Sequence, residues 1–188
     1  MESCYNTSMK QFTTKTFNIP VLKGISAKTN EEHLKLYAAY VKNTNLLLET
    51  SDRRFGFEYD GMRNHELYFS AFEGGAKTLG VSPLSKAIDL EYGSFESFMT
   101  AFKNLALTRG VGWAMLWYDR KDQRLISSWI DEQHMGQLSD CAPLLALDMW
   151  EHSYVADYQP SGKKQYIEDF FANINWEVIS KNFDAAAR

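Results

Sequence analysis

The chain has 188 residues, of which 45% are hydrophobic and 23% charged; this fits one compact unit or two small lobes and excludes a disordered or fibrous architecture. Twenty Lys and Arg face 24 Asp and Glu, for a net charge of −4, so there is no basic field to hold a phosphate backbone and nucleic acid is not an expected partner. A chain near this size buries about 70% of the surface it exposes when unfolded, so any metal site points to function rather than to holding the fold together.

Residues 1–20 are polar, without a sustained period, and read as an irregular arm closed by Pro20. From Ser26, the segment SAKTNEEHLKLYAAYVKNTNLLLE contains neither Gly nor Pro and spaces Leu36, Tyr37, Tyr40 and Val41 helically, with Thr29 or Asn30 available as N-cap. SDRRFGFEYDG reads as a connection. MRNHELYFSAFEGGAKTLG then resumes an apolar period as far as Gly74 and Gly75, predicting a second helix antiparallel to the first. Beyond Ser82 and Pro83 come two further helical patterns, LSKAIDLEY and SFESFMTAFKNLALTRG, the latter capped by Ser94.

Periodicity then changes. VGWAMLWYD and RLISSWI, joined by RKDQ, predict a β-hairpin, and PLLALDMW supplies a third apolar run. GKKQYIEDFFANINWEVISKNF predicts two short amphipathic helices broken near Asn173 to Asn175. The expected class is α+β: an N-terminal antiparallel helical hairpin followed by an α/β lobe with a three-stranded antiparallel sheet. The expected divisions are an arm at 1–20, a helical hairpin domain at 21–81 and an α+β domain at 82–188.

Cys4 and Cys141 show no paired spacing, which argues against a disulfide framework or a thiolate metal site and fits a reducing compartment. The opening MESCYNTSMK holds no apolar run, and no stretch approaches the roughly 18 apolar residues of a membrane span. The expected location is the cytoplasm.

Four histidines occur in the chain. In LDMWEHSY, a helix beginning near Asp148 would put its carboxylate and the His152 imidazole on one face, within reach of one ion. The plainer reading of that pair is a helix cap with an exposed ion pair. His33 and His65 sit on the two long predicted helices, and antiparallel pairing could bring both imidazoles to one depth. Each could equally be a hydrogen-bonded, half-buried histidine. His134, in a polar loop, reads as solvated. Three imidazoles and one carboxylate suit a first-row transition metal better than calcium or magnesium.

Four blocks in order, RNHELYF, GVGWAML, LDMWEHSY and NINW, resemble the iron/manganese superoxide dismutase family, and the resemblance runs from about Phe17 to Phe183. It implies an enzyme that converts superoxide to dioxygen and hydrogen peroxide with one manganese or iron ion per subunit, held by His33, His65, Asp148 and His152. The family pattern HxxxHHxxY is one residue longer than HLKLYAAY, in which Tyr40 follows His33 by seven. Placing the gap after His33 keeps an imidazole ligand and implies a bulged helix made regular, whereas gap-free alignment back from Tyr40 would put Glu32 at the ligand position.

By the same resemblance Tyr40 is the gateway tyrosine and orders the proton supply, and Tyr37 replaces a histidine beside the substrate funnel. Gln133 is the donor to the metal-bound solvent, with His134 second in line. Trp113, Trp150 and Glu151 surround the site, and Glu151 would reach His152 of a partner subunit, which implies a homodimer. Phe69, Met115 and Val155 depart from the usual Trp, Trp and Tyr. Gly61, with Gln133 in the late loop, resembles the manganese pattern, so manganese is slightly favoured over iron. The competing class is a metal-free structural or binding protein of the same fold. Retention of all four ligand types and the acidic charge weigh against it.

Overall fold

A computed structural model describes residues 9–188; the first part of the arm, including Cys4, lies outside the described residues. The arm from Met9 to Ile25 follows an irregular path. Helix α1 spans Ala27–Leu47 and α2 spans Phe55–Ser70. Their side-chain pairs run in opposite directions along the two helices: Asn43 with Glu58, the Tyr40 ring beside Gly61, Tyr37 with Glu66, and His33 with Phe69. The hairpin is therefore antiparallel, as the sequence predicts.

Two boundaries differ from expectation. The N-cap of α1 is Ser26, whose hydroxyl accepts from Thr29 N at 3.1 Å; Thr29 and Asn30 lie inside the first turn. Helix α2 begins at Phe55, so the expected connection FGFEYDG is helical. The helix runs through Gly56 and Gly61, and Gly61 lets the Tyr40 ring approach the α2 backbone.

Helices α3 (Pro83–Tyr92) and α4 (Phe95–Ala106) follow, capped by Ser82 and Ser94. Strands β1 (Gly112–Asp119), β2 (Arg124–Asp131) and β3 (Cys141–Asp148) form an antiparallel sheet in the order β2-β1-β3. Every residue of β1 except its last is buried, which explains its nearly unbroken apolar run. The chain closes with a short α5 (Val155–Tyr158) and with α6 (Lys163–Asn173) and α7 (Trp176–Ala186), which break where the sequence predicts.

One end of the sheet positions the chemistry. Trp113 on β1 pairs with Asp148 at the end of β3 and with Ile130 on β2, three residues before Gln133. Gly112, at φ +155°, fixes this end: a Cβ there would sit 2.0 Å from the Ile130 carbonyl oxygen. The α1–α2 pair packs over it, with His65 edge-on to Trp113 at 5.0 Å.

Candidate metal centre

On α1 the residues His33, Tyr37, Tyr40 and Thr44 are all buried and form one stripe at helical spacing. On α2, Asn64, His65, Tyr68 and Phe69 are buried against it. Asp148 is the last residue of β3. The expected helix from Asp148 to His152 does not form: the strand runs to Asp148, and a 3-10 turn at Glu151–Ser153 then folds His152 back. The outcome for the pair is the one a helix would have given, with His152 Nε2 3.1 Å from Asp148 Oδ2.

That carboxylate oxygen is a point of convergence. His33 Nε2 lies 3.0 Å from Asp148 Oδ2 and His65 Nε2 lies 3.7 Å away. The ligand atoms of His33, His65, Asp148 and His152 all lie within 4.8 Å of one another. Glu32 is exposed and pairs with Lys35 at 2.9 Å, so the structure puts His33 rather than Glu32 into the cluster.

The chemistry of the donors fits a cation. His65 Nδ1 is 2.6 Å from the Gly61 carbonyl oxygen and donates to it, which leaves the lone pair on Nε2; that atom is buried and has no hydrogen-bond partner among the described residues. Burial pushes the His65 imidazole down to about 3, with neighbouring His33 acting in the same direction. Burial likewise lowers His33, against the pull of Asp148. Burial thus favours the neutral form of both rings, the form that ligates metal.

Burial alone would raise the pKa of Asp148, but the charge and hydrogen bond of His152, with a further hydrogen bond from His33, outweigh it and hold the carboxylate well below its ordinary value. Its other oxygen accepts from Trp150 N at 2.8 Å, and its main-chain carbonyl accepts from the Tyr166 hydroxyl at 2.9 Å. Three imidazoles and a single carboxylate make a nitrogen-rich set that suits a first-row transition metal.

A second group adjoins the donors. Gln133, fully buried, accepts from Trp113 Nε1 at 2.9 Å through Oε1 and donates to the Tyr40 hydroxyl at 2.9 Å through Nε2. Its main-chain carbonyl accepts from Asn64 Nδ2 at 2.9 Å. The Tyr40 ring packs 5.0 Å from His65. Burial, reinforced by the Asp148 charge, holds the Tyr40 phenol well above its ordinary pKa. At position 61 a Cβ would sit 2.7 Å from the Tyr40 ring, so that ring occupies the space a longer side chain would need.

Trp150 stacks on His152 at 5.8 Å and donates from Nε1 to the Glu132 carbonyl at 3.2 Å. Glu151 is exposed, and the His152 side chain retains 27% of its accessible surface. His134 departs from expectation. It is partly buried rather than solvated, its Nδ1 finds no partner, and its ring stands edge-on to Phe57 at 5.7 Å, outside the four-residue donor cluster.

Tyr37 also behaves differently from a funnel residue. It is fully buried, accepts from Lys15 N at 3.0 Å and donates to Glu66 at 3.2 Å. Asn64, Glu66 and Tyr166 were not singled out from the sequence. Asn64 and Glu66 flank His65 in RNHELYF, which was the available signal; Tyr166 had none.

Comparison with known proteins places this geometry in context. Residues 81–182 match the model for the C-terminal domain of iron/manganese superoxide dismutases. The chain is 30% identical over 189 residues to the iron superoxide dismutase of Aquifex aeolicus (strain VF5), covering 89% of this chain and 88% of the relative. It is 32% identical over 181 residues to the manganese superoxide dismutase of Mycolicibacterium fortuitum, covering 86% of each. A third relative, the iron superoxide dismutase of Tetrahymena pyriformis, is 31% identical over 172 residues, covering 80% of this chain and 87% of the relative.

Proposed function

The chain belongs to the iron/manganese superoxide dismutase family and is an enzyme of that type with iron or manganese as its cofactor, and from this premise we propose that His33, His65, Asp148 and His152 hold the ion. The observation that carries this reading is the convergence of their four ligand atoms, with the buried Nε2 of His65 unpartnered. Bound there, the ion supplies one-electron redox chemistry, by which one superoxide is oxidised to dioxygen and a second, with two protons, is reduced to hydrogen peroxide.

The protein holds and tunes. Asp148 stays anionic and offsets part of the cation's charge. Gln133, fixed at one end by Trp113, donates to Tyr40 and so leaves the phenol's own proton free to point elsewhere. Tyr40 retains that proton at neutral pH, because burial opposes its ionisation. These two side chains order the proton supply next to His65. Trp150 covers one face of His152 and limits the access of water.

Manganese is slightly favoured over iron. Support comes from the crowding at Gly61, which leaves Gln133 as the amide donor from the late loop. The relatives bear both metals in their names and do not decide the matter. A homodimer fits the exposed Glu151 beside the partly exposed His152, since a second copy could cover both. Among the described residues no helix is long and apolar enough to cross a membrane, and the unpaired spacing of Cys4 and Cys141 supports a cytoplasmic location.

The test is elemental analysis of the purified protein together with the superoxide dismutase activity of separately reconstituted manganese and iron forms. Activity with manganese and little with iron is expected. Failure to take up either ion overturns the site; full activity with iron and none with manganese overturns the metal preference.

A further inference from the structure

Glu66, the residue after His65, is buried on α2 yet carries a carboxylate that the metal centre does not use. Three groups satisfy it. Lys15 Nζ donates to Oε2 at 2.7 Å, Arg63 donates to the same oxygen at 2.9 Å, and the Tyr37 hydroxyl donates to Oε1 at 3.2 Å. Tyr37 lies one helical turn after His33 on α1, so its bond to Glu66 ties α1 to α2 beside the two imidazoles. Lys15 closes the knot twice, with Nζ on Glu66 and its backbone N–H on the Tyr37 hydroxyl at 3.0 Å.

The arm around Lys15 is anchored at both ends. Phe12 exchanges two hydrogen bonds with the Asn45 side chain near the end of α1, donating to Oδ1 at 2.8 Å and accepting from Nδ2 at 2.9 Å. The Arg63 guanidinium lies 5.0 Å over the Phe12 ring. At the other end Asn18 N donates to Glu73 at 3.3 Å, and the Asn18 carbonyl accepts from Gly74 N at 3.3 Å. Between these anchors Phe17 packs edge-on to Tyr37 at 5.7 Å and against Phe69 at 5.5 Å, and Phe69 in turn lies 4.9 Å from the His33 ring. The arm therefore reaches the His33 ring through Phe17 and Phe69, and reaches α1 one turn beyond His33 through Lys15 and Tyr37.

We propose that residues 12–18 form a strap across the α1–α2 hairpin, with Lys15 and Glu66 acting as positioning residues that set the separation of His33 and His65 for metal binding. The inference rests on the metal-site reading above. Lys15 is the informative handle because its side chain is half exposed, with 55% of its surface accessible, so its removal leaves the core intact.

The experiment uses the full chain and its Lys15→Ala, Lys15→Arg and Glu66→Gln variants, each loaded with cobalt(II) for visible spectroscopy and with manganese(II) for release into excess chelator. Cobalt bands report ligand geometry, which a brace acting only on stability would not move. In Lys15→Ala the bands should shift, and manganese should leave roughly two- to fivefold faster, the scale expected of one half-exposed charged contact. Lys15→Arg should restore both, and Glu66→Gln should reproduce the Lys15→Ala spectrum. Unchanged bands and release rate in Lys15→Ala, with an equal loss of thermal stability in metal-free and loaded forms, would overturn the positioning role and leave the metal site standing. A wild-type chain that takes up neither ion would overturn the metal-site reading, and the strap's role with it.

Discussion

Replacing Gly61 by Ala puts a methyl group where the structure has the Tyr40 ring. The new Cβ would lie 2.7 Å from Cδ1 and Cε1 of that ring, about 1 Å inside ordinary carbon contact. The ring cannot swing away cheaply, because its hydroxyl is bound to Gln133 at 2.9 Å and its faces are flanked by His65 at 5.0 Å and Phe57 at 6.0 Å. Overpacking of this kind costs about 2–3 kcal/mol, while alanine regains about 1 kcal/mol of helix propensity over glycine. The net loss of about 1–2 kcal/mol corresponds to a fall in melting temperature of roughly 2–8 °C for a chain of this length. Gly56 on the same helix is the control: a Cβ there meets His134 Cδ2 at an ordinary 3.6 Å, so Gly56→Ala should be neutral or stabilising by up to about 1 kcal/mol. Thermal melts of both metal-loaded variants, followed by circular dichroism, decide the matter. If Gly61→Ala melts at or above the wild-type temperature, the close packing of Tyr40 on α2 is wrong, and with it the argument that no donor side chain fits at position 61.

His33→Ala should abolish metal retention by elemental analysis, whereas Glu32→Ala should leave it nearly intact; the reverse result would move the ligand to Glu32. Gln133→Ala strands the buried Trp113 Nε1, a loss of about 1–3 kcal/mol, and should strongly damage the manganese form. His134→Ala should be mild by the same assay, and equal damage from the two would remove Gln133 from its role. Burial lifts Asp60 to about 6, opposed by the charge of His134. A carboxyl raised in the folded state stabilises fully below its unfolded value near 4 and loses that contribution as pH rises through 6. Asp60→Asn should therefore gain stability over wild type at pH 7, by about 1 kcal/mol after allowance for solvent screening, and gain nothing at pH 3; denaturant melts at the two pH values check it. Glu151→Ala should weaken self-association and metal retention together, as sedimentation and elemental analysis would show, and an active wild-type monomer at micromolar concentration would contradict the dimer.

The helices and strands followed from periodicity because their buried faces repeat cleanly, as in the apolar run of β1 and the stripe from His33 to Thr44. Errors arose where tertiary contact overrode local preference. The segment SDRRFGFEYDG reads as a connection, yet α2 begins at Phe55 and runs through Gly56 and Gly61, where packing against Tyr40 offsets glycine's poor helix propensity. The Asp148 and His152 pair looked helical at its four-residue spacing, yet a strand end and a 3-10 turn achieve the same approach. The ligand set rested on the family blocks, since spacing alone left each histidine open to a plainer role. The strap has no signature in the sequence, because Lys15, Tyr37 and Glu66 are far apart along the chain and obey no period.

The seven-residue spacing of His33 and Tyr40, one shorter than the family pattern it resembles, suits a regular helix. An α-helix turns 100° per residue, so positions seven apart differ by about 20° and share a face, whereas positions eight apart differ by about 80° and need a bulge to be brought together. Here α1 is α-helical without interruption from Ala27 to Leu47. His33, Tyr37 and Tyr40 accordingly fall on one stripe with no bulge to relieve, while Glu32 turns outward to Lys35. The straight helix therefore keeps His33 at the donor cluster and directs Tyr37 between the two helices. Tyr37 lies between the helices, where its hydroxyl meets Glu66 and the arm. The buried carboxylate of Glu66 and the straight helix are thus two parts of one solution, since a regular α1 points Tyr37 inward and an inward phenol needs a partner.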